Sequence, residues 1–322
     1  MSTTFYTVAS ERSLNSAVAA INAASTSDPA GTQYMIVLSA DLLLTANIQT
    51  ISLAAGQTLT IEGLNYGNDF NTALIDGDGA HRGFVVNAGS VAFSNLDLTG
   101  LTAPGGSGGT PGGGGALYVG AGAVVSTNSV ALSGSASGGT PAGGAVFLAA
   151  GGSLGITGGS LSGSGHNGLF IQGSNSVTLD GVGATGVIAD ETGSHLGAGV
   201  GTVIAQGAVT LAAGNSYTGG TQIQGALTLL SSTAAGAGAI SFTSASGESL
   251  VAAPGDAPAN QIDGFVLDPS GWQNGDAIDL QGIGTPASAK LTGGTARACR
   301  AMMAVSDVQQ GHIAEHPHER IG

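Results

Sequence analysis

Two stretches of this chain, thirty residues apart, carry nearly the same wording, and they restrict the fold more than any other feature. Residues 108–134 run GGTPGGGGALYVGAGAVVSTNSVALSG and residues 138–163 run GGTPAGGAVFLAAGGSLGITGGSLSG. Each copy has a Gly-Thr-Pro loop, a short apolar strand (Leu117–Val119, Val146–Leu148), a Gly turn, a second strand and an apolar-Ser-Gly ending. Three further segments align without a gap: SVAFSNLDLTG from Ser90, SLGITGGSLSG from Ser153 and SVTLDGVGATG from Ser176. Val91, Leu154 and Val177 share one column of that alignment, Phe93, Ile156 and Leu179 a second, and Leu98, Leu161 and Ala184 a third. Self-similarity at a period of roughly 20–50 residues marks a stacked repeat. Alternate strand residues face opposite sides, so the columns point into a core while Ala92, Gly155 and Thr178 point out. The expected fold is all-β, a solenoid of short strands.

Composition agrees. The chain holds 58 glycines without collagen's strict period, and glycine costs about 1 kcal/mol at an interior helix position. Its apolar residues, 42% of the total, recur in β-branched and Leu-rich runs that a disordered chain lacks. With six Lys and Arg and a net charge of −14, it has too few cations to neutralise a phosphate track or an anionic membrane. Nucleic acid is excluded as a partner, and no run approaches the roughly 20 apolar residues of a membrane helix, so no membrane insertion is expected. One cysteine, Cys299, forms no intrachain disulfide. The N-terminus has neither the basic start nor the apolar core of a secretory signal.

In chain order, residues 1–30 hold a strand at Phe5–Val8 and a helix from Glu11, N-capped by Ser10. Leu14, Ala17, Val18 and Ile21 fall on one helical face, which suits a cap over the first rung's open edge and core. Residues 31–250 form the solenoid, with Leu59 and Ile61 in the columns of Val91 and Phe93 and matching offsets that shrink from about 33 to 29 to 23 residues. The extra residues fall in Thr102–Gly115 and Ser135–Gly144, read as loops projecting from one side. Val209 lies 32 residues beyond Val177. Residues 251–285 close the solenoid, and 286–322, which lack periodicity, read as a disordered or foreign tail. About nine coils at the usual strand spacing make a rod on the order of 45 Å long.

The opening TVASERSLNSAVAAINAAS, the later TISLAAGQTLTIEG and the pattern GGGGALYVGAGAVV resemble the right-handed parallel β-helix of large bacterial surface and secreted proteins. GNSYTGGTQIQGALTLL, from Gly214, resembles the autotransporter-associated strand repeat, and IDGFVLDPSGWQNGDAIDLQGI resembles a segment near the end of such passengers. Together these cover most of residues 5–285. The resemblance implies a passenger or adhesin displayed on, or released from, a Gram-negative cell. It implies an extracellular or outer-surface location and, as partners, a glycan or host-surface ligand and copies of the chain itself. The C-terminal membrane barrel of that family has no counterpart after Gly284.

Parallel β-helices also carry polysaccharide lyases and glycoside hydrolases, whose chemistry needs a base, a uronate-neutralising cation or paired carboxylates. The best cluster is Asp76, Asp78, His81 and Arg82, on one turn; Arg82 is the one Lys or Arg between residues 30 and 285. Read as catalytic, these would be an acid/base pair and a substrate clamp; read as structural, a Gly-rich turn whose carboxylates cap backbone amides. Asp180, Asp190, Glu191 and His195 form a second polar patch. Asn274-Gly-Asp276 with Asp279 suits a cation or, more simply, a hairpin turn. His312, His316 and His318 have metal-compatible spacing in the tail. Asn95 and Asn128 align as a candidate amide ladder. The glycine loops lack both the Asp of calcium-binding nonapeptides and the Gly-Lys-Ser/Thr of a phosphate cradle. No cofactor or metal is expected, and the leading function is an adhesive or structural shaft rather than an enzyme.

Overall fold

A computed structural model of the chain describes residues 3–64, 72–103, 113–136, 143–163, 167–190, 199–243, 247–266 and 275–281. Within them the protein is mostly β, built as one parallel solenoid in which each coil lays a strand beside the equivalent strand of the next. Eleven strands stack along the first face, from β1 (Thr3–Val8) to Ile262–Asp263. Every pairing is parallel. At the usual spacing of about 4.8 Å that face is about 48 Å long.

The repeated apolar residues stack as the alignment requires. One interior column of the first face runs Tyr34, Leu59, Val91, Val125, Leu154, Val177, Val203, Thr221, Ile240, each beside the next. A second runs Ile36, Ile61, Phe93, Thr127, Ile156, Leu179, Ala205, Ile223, Phe242. The second face stacks Ile75, Leu98, Leu132, Leu161, Ala184, Leu211 and Leu229. A third face, over residues 51–190, stacks Phe84, Leu117, Val146, Leu169 and Ile188. The apolar members of these columns are buried in one continuous cluster, with Thr127 and Thr221 buried among them. A fully buried Val, Leu, Ile or Phe stabilises by about 1.5–3 kcal/mol, so each coil depends on its neighbours to cover both sides of its contribution.

On five successive coils the corner between the first and second faces takes one residue in left-handed backbone. Asn95 (φ 53°), Ser129 (φ 55°), Gly158 (φ 60°), Gly181 (φ 64°) and Gly207 (φ 56°) fill it in turn. Glycine enters that region without a Cβ penalty, and Asn is the side chain that tolerates it best. The candidate amide ladder fails here: Asn128 pairs with Ser94 on the strand, while Asn95 and Ser129 take the corner, one position on. Beyond Val203 the coils shorten. Val177 is followed in its column by Val203, 26 residues on, and Val203 by Thr221, only 18 on. Val209 therefore belongs to the second face, beside Leu227. Coils shorter than the 23 residues expected are feasible because glycines let backbones touch: a Cβ on Gly219 would lie 2.6 Å from the Gly201 carbonyl oxygen.

A helix, α1 (Glu11–Ser25), follows β1, with Ser10 and Ser13 forming a reciprocal capping box at its start. It buries Leu14, Ala17, Val18 and Ile21. Its polar side chains bond the chain segment 45–54 in parallel order. The Thr45 amide and hydroxyl donate to Glu11 Oε2 at 2.7 and 2.6 Å, and the Ala46 amide at 3.2 Å. Gln49 N–H donates to Asn15 Oδ1 at 2.7 Å, Ser52 N–H to Asn22 Oδ1 at 2.9 Å, and Ala54 N–H to Ser25 Oγ at 2.7 Å. The helix thus satisfies edge donors that the first coil otherwise leaves open. The Thr45 hydroxyl, more than any other neighbour, holds the Glu11 carboxyl below the usual carboxylate range, against a partial burial that raises it. No helix of the described residues is long and apolar enough to cross a membrane.

Candidate functional site

The turn that carries the proposed acid, base and clamp starts where Ala73–Asp76 ends. Asp76 Oδ1 accepts the Asp78 amide at 2.9 Å, while Gly77 O accepts the Ala80 and His81 amides at 3.0 and 2.9 Å. Asp78 sits at φ 52°, exposed, at the turn's tip. Asp76 therefore fixes the turn, as carboxylates in Asx turns do. Arg82 points away from solvent and is 8% exposed. Its Nε donates to Gly114 O at 3.2 Å, its terminal NH2 donates to Gly113 O, and its guanidinium lies 5.1 Å from the centre of the Tyr118 ring. Burial pushes its pKa down, with Tyr118 acting the other way. The four residues share one turn, but Arg82 is committed to holding the returning end of the 102–115 loop against the coil.

Tyr118 opens an arrangement outside the three-faced core. On the outward side of the third face, Val85, Tyr118, Phe147, Phe170 and Ala189 stand in register. Tyr118 and Phe147 stack at 5.5 Å and 9°, Phe147 and Phe170 at 6.5 Å and 5°, within the favourable range for offset rings. They form a second, separate cluster in which Phe147 is fully buried. The signal was present in the sequence as three triplets, Leu-Tyr-Val, Val-Phe-Leu and Leu-Phe-Ile, at the offsets of the columns.

Asp180 and Asp190 are not brought together. Asp180 ends a first-face strand, whereas Asp190 stands in an interior column of the third face, next to Ile171. Its Oδ1 accepts Gly201 N–H at 2.6 Å, and its Oδ2 accepts the Thr218 amide and hydroxyl at 2.8 and 2.6 Å. The strand-repeat motif supplies that clamp and more. Asn215 accepts Ile188 N–H at 2.7 Å and donates to Ala234 O at 2.5 Å, joining the coils on either side. Tyr217 is fully buried, its hydroxyl 2.6 Å from Thr221 Oγ1, which donates to Ala235 O at 3.0 Å. The Tyr217 hydroxyl is therefore the donor, and burial raises its pKa strongly. Asn215, Thr218 and Thr221 are thus spent on joining coils, and Tyr217 on fixing Thr221.

Asp276 accepts Glu248 N–H at 3.2 Å and Val266 N–H at 2.7 Å. The strand after it, Ala277–Leu280, pairs parallel with 249–252, so it continues the stack rather than closing a hairpin. Among the described residues no group of three or more His, Cys, Asp or Glu is placed to hold a metal. His166, Glu191, His195, Asn274, Cys299, His312, His316 and His318 lie outside the described residues. No family model, curated protein or solved structure matches the chain.

Proposed function

We propose that the chain is a right-handed parallel β-helical shaft of a secreted or cell-surface protein, acting as an adhesive or structural element on the bacterial exterior, with α1 as the cap of its first coil. The observation that carries this reading is the unbroken parallel ladder along the first face, from Thr3 to Asp263. Such a ladder is a means of spanning distance, since every coil adds the same increment of length. The polar groups that a catalytic reading would recruit support it too: Asp76, Arg82 and Asp190 bond backbone of their own or neighbouring coils. A flat glycan or host-matrix surface is the class of ligand such a shaft meets.

The test pairs two assays on the purified chain. A glycan and matrix-protein binding array is expected to give retention on a restricted ligand class. Turnover on uronate and neutral polysaccharides is expected to be nil, with Asp78→Ala as control. Product formation that Asp78→Ala abolishes would replace the shaft with a polysaccharide lyase or glycoside hydrolase.

A further inference from the structure

The end of the solenoid that begins the chain is finished unevenly. α1 covers the segment 45–54 by side-chain hydrogen bonds, but β1 is paired on one edge only, with Gln33–Leu38. Val8 O accepts Ser39 N–H at 2.9 Å. Backbone groups alternate sides along a strand, so Thr4, Tyr6 and Val8 turn theirs toward that neighbour, and Thr3, Phe5 and Thr7 turn theirs away. Among the described residues the ladder gives β1 no strand partner other than Gln33–Leu38.

Natural edge strands are protected by charge, proline, a bulge or a covering helix or loop. β1, Thr-Thr-Phe-Tyr-Thr-Val, has none of the first three, the side-chain bonds of α1 go to segment 45–54 rather than to β1 backbone, and Phe5 is 66% exposed. Beside it the outward side of α1 presents Arg12, Ser16, Ala19, Ala20 and Ala23, all exposed, where an exposed helix face ordinarily carries several charges. The chain as a whole has a net charge of −14. This end bears Arg12, Glu11 and Asp28, with the Glu11 carboxylate held by Thr45 and Ala46 and the Asp28 carboxylate accepting from the Tyr34 hydroxyl, so few free charges oppose each other where two copies meet.

We propose that a second copy of the chain docks on this end, with β1 pairing antiparallel to its counterpart about a twofold axis at Phe5. The strand is self-complementary in that arrangement: Thr3 opposes Thr7 of the copy, and the two Phe5 rings lie opposite each other as a cross-strand pair. Pairing with the far end of another copy is the weaker alternative, because the last first-face strand among the described residues, Ile262–Asp263, is two residues long against six in β1. The product is a rod about twice the length of one solenoid. The inference rests on the end surface alone and is independent of what the shaft binds.

Sedimentation velocity and small-angle scattering on the full chain across the micromolar range test it. A reversible dimer is expected, with a maximum dimension about double that of the monomer. Phe5→Lys combined with Thr7→Pro, which removes an outward-facing N–H and leaves the β1 bonds to Gln33–Leu38 intact, is expected to be monomeric with an unchanged circular dichroism spectrum. If that variant folds poorly, Phe5→Cys in a Cys299→Ser background is expected to crosslink across the axis on oxidation, while Thr60→Cys does not. A monomer at every concentration, a side-by-side dimer no longer than the monomer, or a dimer that survives the double variant would each overturn the proposal.

Discussion

Two threonines occupy interior columns of the first face, and the same substitution at each should move stability in opposite directions. Thr127 stands between Phe93 and Ile156, 2% exposed, and its hydroxyl has no hydrogen-bond partner. A buried hydroxyl without a partner costs about 1–3 kcal/mol in proteins. Thr127→Val keeps the β-branched shape and exchanges that hydroxyl for a methyl among apolar neighbours, so it should stabilise by about 1 kcal/mol or more. Thr221, 1% exposed, accepts from Tyr217 and donates to Ala235 O. Thr221→Val strands both groups in the core and should destabilise by about 1–3 kcal/mol. The two sites lie several coils apart, so the double variant should shift by the sum. Urea unfolding followed by circular dichroism reads this as midpoints displaced in opposite senses at constant slope. Midpoints that move the same way, or a destabilised Thr127→Val, would show that the column around Thr127 is not dry and close-packed, and the packing argument would fail.

Other consequences are more local. Glu11 is held below the usual carboxylate range by Thr45, so its contribution is present above the unfolded carboxylate pKa and lost as pH falls through the lower folded value. The midpoint difference between the wild type and Glu11→Gln should therefore narrow as pH is taken from about 5 to about 3. At the corner, Gly181 has φ 64° and open space around its missing Cβ. Gly181→Ala should cost about 1 kcal/mol, and Gly181→Asn less, because Asn95 already fills the same corner on another coil. Asp190→Ala leaves the Gly201 and Thr218 amides without their acceptor and should destabilise by at least about 2 kcal/mol. Asp190→Asn, which keeps one oxygen, should lose less, and thermal melts of the two variants compare them directly.

The repeated columns were legible because burial selects for aliphatic side chains at a fixed place in each coil: Val91, Leu154 and Val177 align without a gap. The rung between Val91 and Leu154 was harder, since Thr127 stands where its neighbours carry Phe93 and Ile156. The Asn95–Asn128 match failed for a related reason. Asn serves both a strand and a left-handed corner, and sequence spacing alone does not say which. Past Asp190 the third side of the coil is carried by the motif around Asn215 and Tyr217 rather than by a regular strand, so a fixed period points to Val209 where the column continues at Val203. At the candidate site, Asp76 and Arg82 flank one turn, as their spacing implies. The direction in which Arg82 points was not legible, because it depends on carbonyls of Gly113 and Gly114 and on the Tyr118 ring, all some thirty residues away.

The central claim is that one outward row of the first face climbs one strand spacing per coil. Thr60 and Ser241 belong to that row, seven rungs apart by way of Ala92, Ser126, Gly155, Thr178, Ile204 and Gln222. Spin labels placed at these two positions in a Cys299→Ser background, diluted with unlabelled chain, should give an electron–electron distance near 34 Å, and labels at Ser126 and Ser241 one near 24 Å, from the usual spacing of about 4.8 Å. Distances that fail to grow in proportion to rung number, or that place Ser241 closer to Thr60 than to Ser126, would contradict the stacked parallel coil.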